Sequence, residues 1–84
     1  MNREDVLRLL DEMVEYQRGR VLSIARELVP GLTLEDIRNP QDYQELENSS
    51  RFQFEDGILS GYISMRTAVA AEFNQQEESP KSPS

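Results

Sequence analysis

Residues 3–28 read REDVLRLLDEMVEYQRGRVLSIAREL, and the spacing within them decides the fold. Leu7, Leu10, Val14, Gln17, Val21, Ile24 and Leu28 recur at intervals of 3, 4, 3, 4, 3 and 4, an unbroken heptad seam on one side of a helix. Val6, Met13 and Ala25 flank the seam and widen the stripe. Asn2 is the expected N-cap, and Glu4 and Asp5 place negative charge in the first turn, where the helix dipole favours it. Pro30-Gly31 closes the helix, because proline cannot continue it and disfavours helical geometry at Val29.

A second long helix is predicted from about Arg51 to Asn74. Ser49 or Ser50 can cap it, and Ser50 with Gln53 fits a capping box. Its large residues, Phe54, Ile58, Tyr62, Met65, Val69 and Phe73, fall three or four apart. Beside them runs a row of small residues, Gly57, Gly61, Ser64, Ala68 and Ala71. Two glycines inside a helix cost about 1 kcal/mol each relative to alanine, so close approach of another helix is the expected offset.

The stretch between the helices, residues 30–50, is longer than the two to eight residues, roughly, that a helix–helix connection needs, and so should be structured. Thr33 and Asp36 form a capping-box pattern for a short turn through Ile37. Asn39-Pro40 reads as N-cap and first position of a further short helix, through about Leu46. Leu32, Leu34, Ile37, Tyr43 and Leu46 supply an apolar side. Five carboxylates against Arg38 alone give this connector a strongly acidic outer side. From residue 74 onward the chain is polar and proline-punctuated, and a disordered tail over 74–84 is expected behind a single helical domain over 1–73.

Composition narrows the function. The 84 residues carry a net charge of −7 and contain no cysteine, histidine or tryptophan. Disulfides, zinc fingers and thiol or imidazole chemistry are therefore excluded. No apolar run reaches the roughly 20 residues of a membrane span, and the acidic start is unlike a signal peptide. A soluble, cytoplasmic protein is expected. No part of the chain has the basic balance that binding to nucleic acid or to anionic lipid requires.

Two rods of this length, packed antiparallel, cannot cover their own apolar stripes. Below about 70–80 residues a single core rarely supplies more than about 3–5 kcal/mol unaided. The five apolar residues of the connector can cover one end of the hairpin. The expected fold is thus all-α, an antiparallel helical hairpin with a long, partly helical connector, pairing as a homodimer into a four-helix bundle. Its packing interface comprises the heptad residues of the first helix with Gly19, and Gly57, Ile58, Gly61, Tyr62, Met65 and Val69 of the second. With Leu28 level with Arg51, Gly19 falls beside Gly61, and the closest crossing is predicted there.

Candidate sites are few. Gln17, a polar residue in the heptad core, suits a role in fixing register. Asp11, Glu12 and Glu15 cluster on the first helix, and Glu12-x-x-Glu15 resembles the carboxylate pair of all-α pyrophosphatases that hydrolyse nucleoside triphosphates. That resemblance would make Glu12, Glu15 and Asp56 ligands for Mg²⁺ or Mn²⁺, with Glu55 and Glu72 as further possible contributors from the second helix. A charged solvent face, partly paired with Arg8 and Arg18, is the plainer reading and the one adopted, with no cofactor and no metal. Arg18, Arg20 and Arg26 concentrate positive charge and are expected to pair with neighbouring carboxylates. Asp42, Tyr43, Glu45, Glu47 and Phe52 combine aromatic anchors with a polar rim, as a partner surface does, and as a folded plug at the end of a bundle also does. The chain as a whole resembles no family. The function expected is non-enzymatic, that of an adaptor or regulatory subunit, with a metal-dependent nucleotide pyrophosphohydrolase as the alternative.

Overall fold

The computed structural model describes residues 1–78, with side chains through residue 76. Helix α1 spans Arg3–Leu28; single 3-10 turns follow at Asp36–Arg38 and Pro40–Asp42; α2 is the short helix Gln44–Glu47; and α3 spans Ser50–Glu78. No strand occurs among the described residues. α1 and α3 pack as an antiparallel hairpin measuring 57 × 22 × 19 Å, with the connector folded against one end.

Local chemistry explains each boundary. The Asn2 side chain accepts a hydrogen bond from the Asp5 amide at 2.8 Å, capping α1. At the other end the Val29 amide returns to Ala25, and Gly31 turns the chain at φ +91°, a left-handed conformation that glycine enters without steric cost. Thr33 and Asp36 form a reciprocal box: the Thr33 amide donates to Asp36 Oδ2 at 3.0 Å and the Asp36 amide to Thr33 Oγ1 at 3.2 Å. The short helix expected from Pro40 to Leu46 is instead two pieces, because Tyr43 is extended (φ −128°, ψ 107°) and separates the 3-10 turn from α2. Ser49 caps α3 through its hydroxyl, which accepts from the Phe52 amide at 3.1 Å. Gln53 does not close a box with Ser50; its side chain donates to the Leu46 carbonyl at 3.3 Å and ties α3 to α2.

α3 also runs past Asn74, since the glutamines and glutamates of residues 75–78 are good helix formers. The expected tail is helical over that stretch, and residues 79–84 lie outside the described residues.

The core is gathered at the connector end. Val14, Val21, Ile24 and Ala25 of α1 meet Leu32, Ile37 and Leu46 of the connector and Phe52 and Leu59 of α3. Phe52, Leu46 and Val21 have no exposed surface. Phe52, considered above as part of a partner surface, is therefore the centre of the plug. It sits one turn into α3, where Ser49 aims it between α1 and α2. Further out the packing thins: Leu7, Leu10, Tyr62, Val69 and Phe73 are half-buried.

Three residues of the expected packing face are not enclosed within the single hairpin. Leu28 and Met65 are 39% and 50% exposed, and Ile58 is only half-buried, whereas its neighbour Leu59 is buried. The stripe that faces α1 is Phe52, Glu55, Leu59, Tyr62, Arg66, Val69 and Phe73, a heptad seam carrying two charged residues. The largest side chains trace a different line, which drifts around the helix. Nor do the glycines mark the crossing. A Cβ added at Gly19, Gly57 or Gly61 would meet nothing within 4 Å, and all three are exposed. Arg51 meets Glu27, Arg66 meets Asp11 and Arg3 meets Asn74, a ladder that brings Gly19 level with Ile58 on the outer side of the hairpin.

Two outcomes follow for unfolding in urea. Phe52→Ala is expected to lose about 3–5 kcal/mol through the cavity it leaves at the plug. Gly19→Ala is expected to gain about 0.5–1 kcal/mol, because the new methyl enters open space on a helix interior; a loss in that variant would mean that Gly19 is covered in solution.

Candidate functional site

The one polar cluster inside the hairpin is built from Gln17, Arg20 and Glu55. Gln17 and Glu55 both occupy the seam between α1 and α3, and both are buried. Gln17 Nε2 donates to the Glu55 backbone carbonyl at 2.9 Å and to its carboxylate oxygen Oε1 at 2.8 Å, using both amide protons. Arg20, one turn further along α1, donates from Nε to Glu55 Oε1 at 3.0 Å. These bonds, that from Gln17 first and that from Arg20 next, hold the Glu55 carboxyl below its usual range against the opposing effect of burial. The same carboxylate raises Arg20. No buried side-chain polar atom among the described residues lacks a partner. Each buried polar atom of the cluster thus has a partner, and the contacts tie one position of α1 to one of α3, with the Arg20 side chain exposed at the outer edge.

A second feature is a hollow of about 300 Å³ between the connector and the helices, with Arg18, Arg38 and Asp56 among apolar walls that include Leu34, Ile37 and Leu59. Asp56 is half-buried there and burial pushes its carboxyl up. Across the connector, Asp36 is lowered, chiefly by the Thr33 amide and hydroxyl of the capping box, and Tyr43 is raised, first by burial and then by the charge of Asp36.

The acidic residues do not converge. Asp11 is paired with Arg66 at 2.9 Å and Glu15 with Arg18 at 3.5 Å, while Asp5 takes Arg8 at 2.8 Å. Glu12 points to solvent, Glu15 borders a shallow surface depression with Tyr16 and Ser23, and Asp56 lies in the hollow under the connector. Among the described residues no group of three carboxylates is placed to hold a cation. Glu12, Glu15 and Asp56 are separated because α1 turns the first two outward while Asp56 follows the connector side of α3. Of the candidate partner surface, Asp42, Glu45 and Glu47 are exposed, Tyr43 is half-buried against the core, and Phe52 is enclosed.

The least expected surface is the back of α3. From Gly57 to Ala71 the helix carries a single charge, Arg66, which turns inward to Asp11. The opposite side presents Phe54, Gly57, Gly61, Ser64, Ala68 and Ala71, and all six are exposed, with Phe54 at 68%. Ile58 and Met65 flank them. α3 therefore carries two heptad seams on opposite sides, one filled by α1 and one uncovered. The small-residue row was visible in the sequence; its position facing away from α1 was not, because spacing alone cannot say which of two seams the partner helix takes. No helix among the described residues is long and apolar enough to cross a membrane. Comparison with protein-family models, with curated proteins and with solved structures finds no match to this chain.

Acid titration tests the polar cluster. A carboxylate lowered by folding adds stability that is complete above its unfolded value and is lost as the pH falls through the folded one. Glu55 and Asp36 both contribute in this sense; Asp56, raised, acts in the opposite sense. Glu55→Gln is expected to flatten the fall in melting temperature between about pH 5 and pH 3 without abolishing it, since Asp36 remains. An unchanged slope would mean that Glu55 is solvated.

Proposed function

We propose that the chain is a non-enzymatic helical protein of the cytoplasm that acts through protein–protein interaction, as an adaptor or regulatory subunit, and that it works as a homodimer. The observation that carries this reading is the uncovered apolar seam of α3. A helix with uncharged, largely apolar surface on two sides, as α3 has from Gly57 to Ala71, is suited to being covered on both, and α1 covers only one. Exposed Phe54 and Met65 add large apolar side chains to the small residues. Pairing two hairpins over this surface yields a four-helix assembly and supplies the buried area that a core confined to the connector end lacks.

Dimerisation leaves the connector facing outward. Asp42, Glu45 and Glu47 then form an acidic edge beside Tyr43, suited to a partner with a basic segment. The alternative reading, a metal-dependent hydrolase, lacks a comparable feature, since the carboxylates proposed for a cation lie apart among the described residues.

Light scattering on a sizing column is expected to give twice the chain mass of 9.7 kDa at two protein concentrations; a single-chain mass at both would refute the dimer. Millimolar Mg²⁺ or Mn²⁺ is expected to leave the melting temperature where an equal ionic strength of Na⁺ leaves it. A rise specific to the divalent ion and lost in Glu12→Gln would favour the hydrolase instead.

A further inference from the structure

We infer that the second copy lies antiparallel on α3, with the two-fold axis passing beside Gly61, so that α3 pairs with α3 at the centre and α1 lies outside. This rests on the homodimer proposed above and specifies its surface and direction. The inference comes from the order of sizes and charges along the exposed seam. In this register Gly61 meets its own counterpart, Phe54 lies over Ala68 of the other copy, and Ile58 lies beside Met65. The Phe54–Ala68 and Ile58–Met65 contacts are each made twice by symmetry, as an isologous interface demands, and the Gly61 contact once at the axis. The largest exposed side chain is set against a small one, and the glycine row allows the backbones to approach closely, as small residues do wherever helices pack tightly.

Charge selects the same direction. Arg51 comes opposite Glu72 of the other copy and on the same flank. Glu72 has no ion pair within its own chain among the described residues. Arg51 is bound to Glu27 at 3.0 Å through one terminal nitrogen, and its other donors remain available. A parallel pairing would instead hold Arg51 of one copy about 30 Å from Glu72 of the other and set Phe54 against Phe54, so that neither the charges nor the large and small side chains are matched.

The lack of any native cysteine makes the register measurable. Gly61→Cys, whose added side chain enters open space within its own hairpin, is expected to form an interchain disulfide nearly completely under mild oxidation. Ala68→Cys alone is expected to stay uncrosslinked. Its two copies would stand about 21 Å apart along the helices, far beyond the roughly 7 Å Cα separation that a disulfide tolerates. The double variant Phe54→Cys/Ala68→Cys is expected to crosslink again. Circular dichroism and light scattering on each variant confirm that it is folded and report its mass. Crosslinking of Ala68→Cys as readily as Gly61→Cys would overturn the antiparallel register in favour of a parallel one. Failure of both Gly61→Cys and the double variant, in a protein that still has twice the chain mass, would overturn the surface while sparing the dimer. A single-chain mass in the unmodified protein would remove the dimer and this inference together.

Discussion

Glu55 cannot leave the seam between α1 and α3 without stranding the buried Gln17 amide, a constraint on register that the apolar contacts around it do not supply. Apolar contacts alone would allow the two helices to slide by a turn, since leucine, valine and isoleucine accept one another readily. A buried carboxylate with defined donors does not. Once Glu55 is opposite Gln17 and Arg20, the outer pairs follow: Arg51 reaches Glu27, Arg66 reaches Asp11 and Arg3 reaches Asn74. These exposed pairs contribute little individually. They agree with that constraint but could not replace it.

The second constraint is geometric. Two long rods share one line of contact, and the connector has enough apolar surface for one end only. Leu32, Ile37 and Leu46 are spent around Phe52, leaving the outer halves of α1 and α3 with half-buried side chains. α3 accordingly answers to two environments. Its inner seam tolerates charge because Gln17, Arg20 and Asp11 neutralise it, while its outer seam has none from Gly57 to Ala71. α3 thus keeps two charged residues among the apolar ones of its inner seam and none on its outer side over that stretch.

How much could be read from the chain depended on the kind of signal. Caps and breakers act locally, so Asn2, Pro30-Gly31 and the Thr33–Asp36 box were all legible and all appear as geometry. The all-α hairpin was legible too, from the heptads of α1 and the length of the second apolar run. The choice of face on α3 was not. Nothing in the spacing marks Glu55 or Arg66 as seam residues, because charge is ordinarily outside; only their partners on α1, 38 and 55 residues away, make them part of the seam. Large residues at Phe54 and Met65 drew attention to the wrong side for the same reason. The glycines were read as a crossing with α1 because a small-residue row announces close approach without naming what approaches.

The uneven distribution of the core also bears on how the chain acquires its shape. The turn at Gly31, the capping box and α2 involve partners only a few residues apart, so the connector can organise before the helices meet over their length. Phe52 and Leu46 lie against Ile24 and Ala25 across a short loop, Gln17 and Glu55 a few turns further out, and Arg3 and Asn74 at the far end, where no described residue is fully buried. The hairpin has the build of a zipper fastened at the connector, whose open end is expected to exchange its amides first.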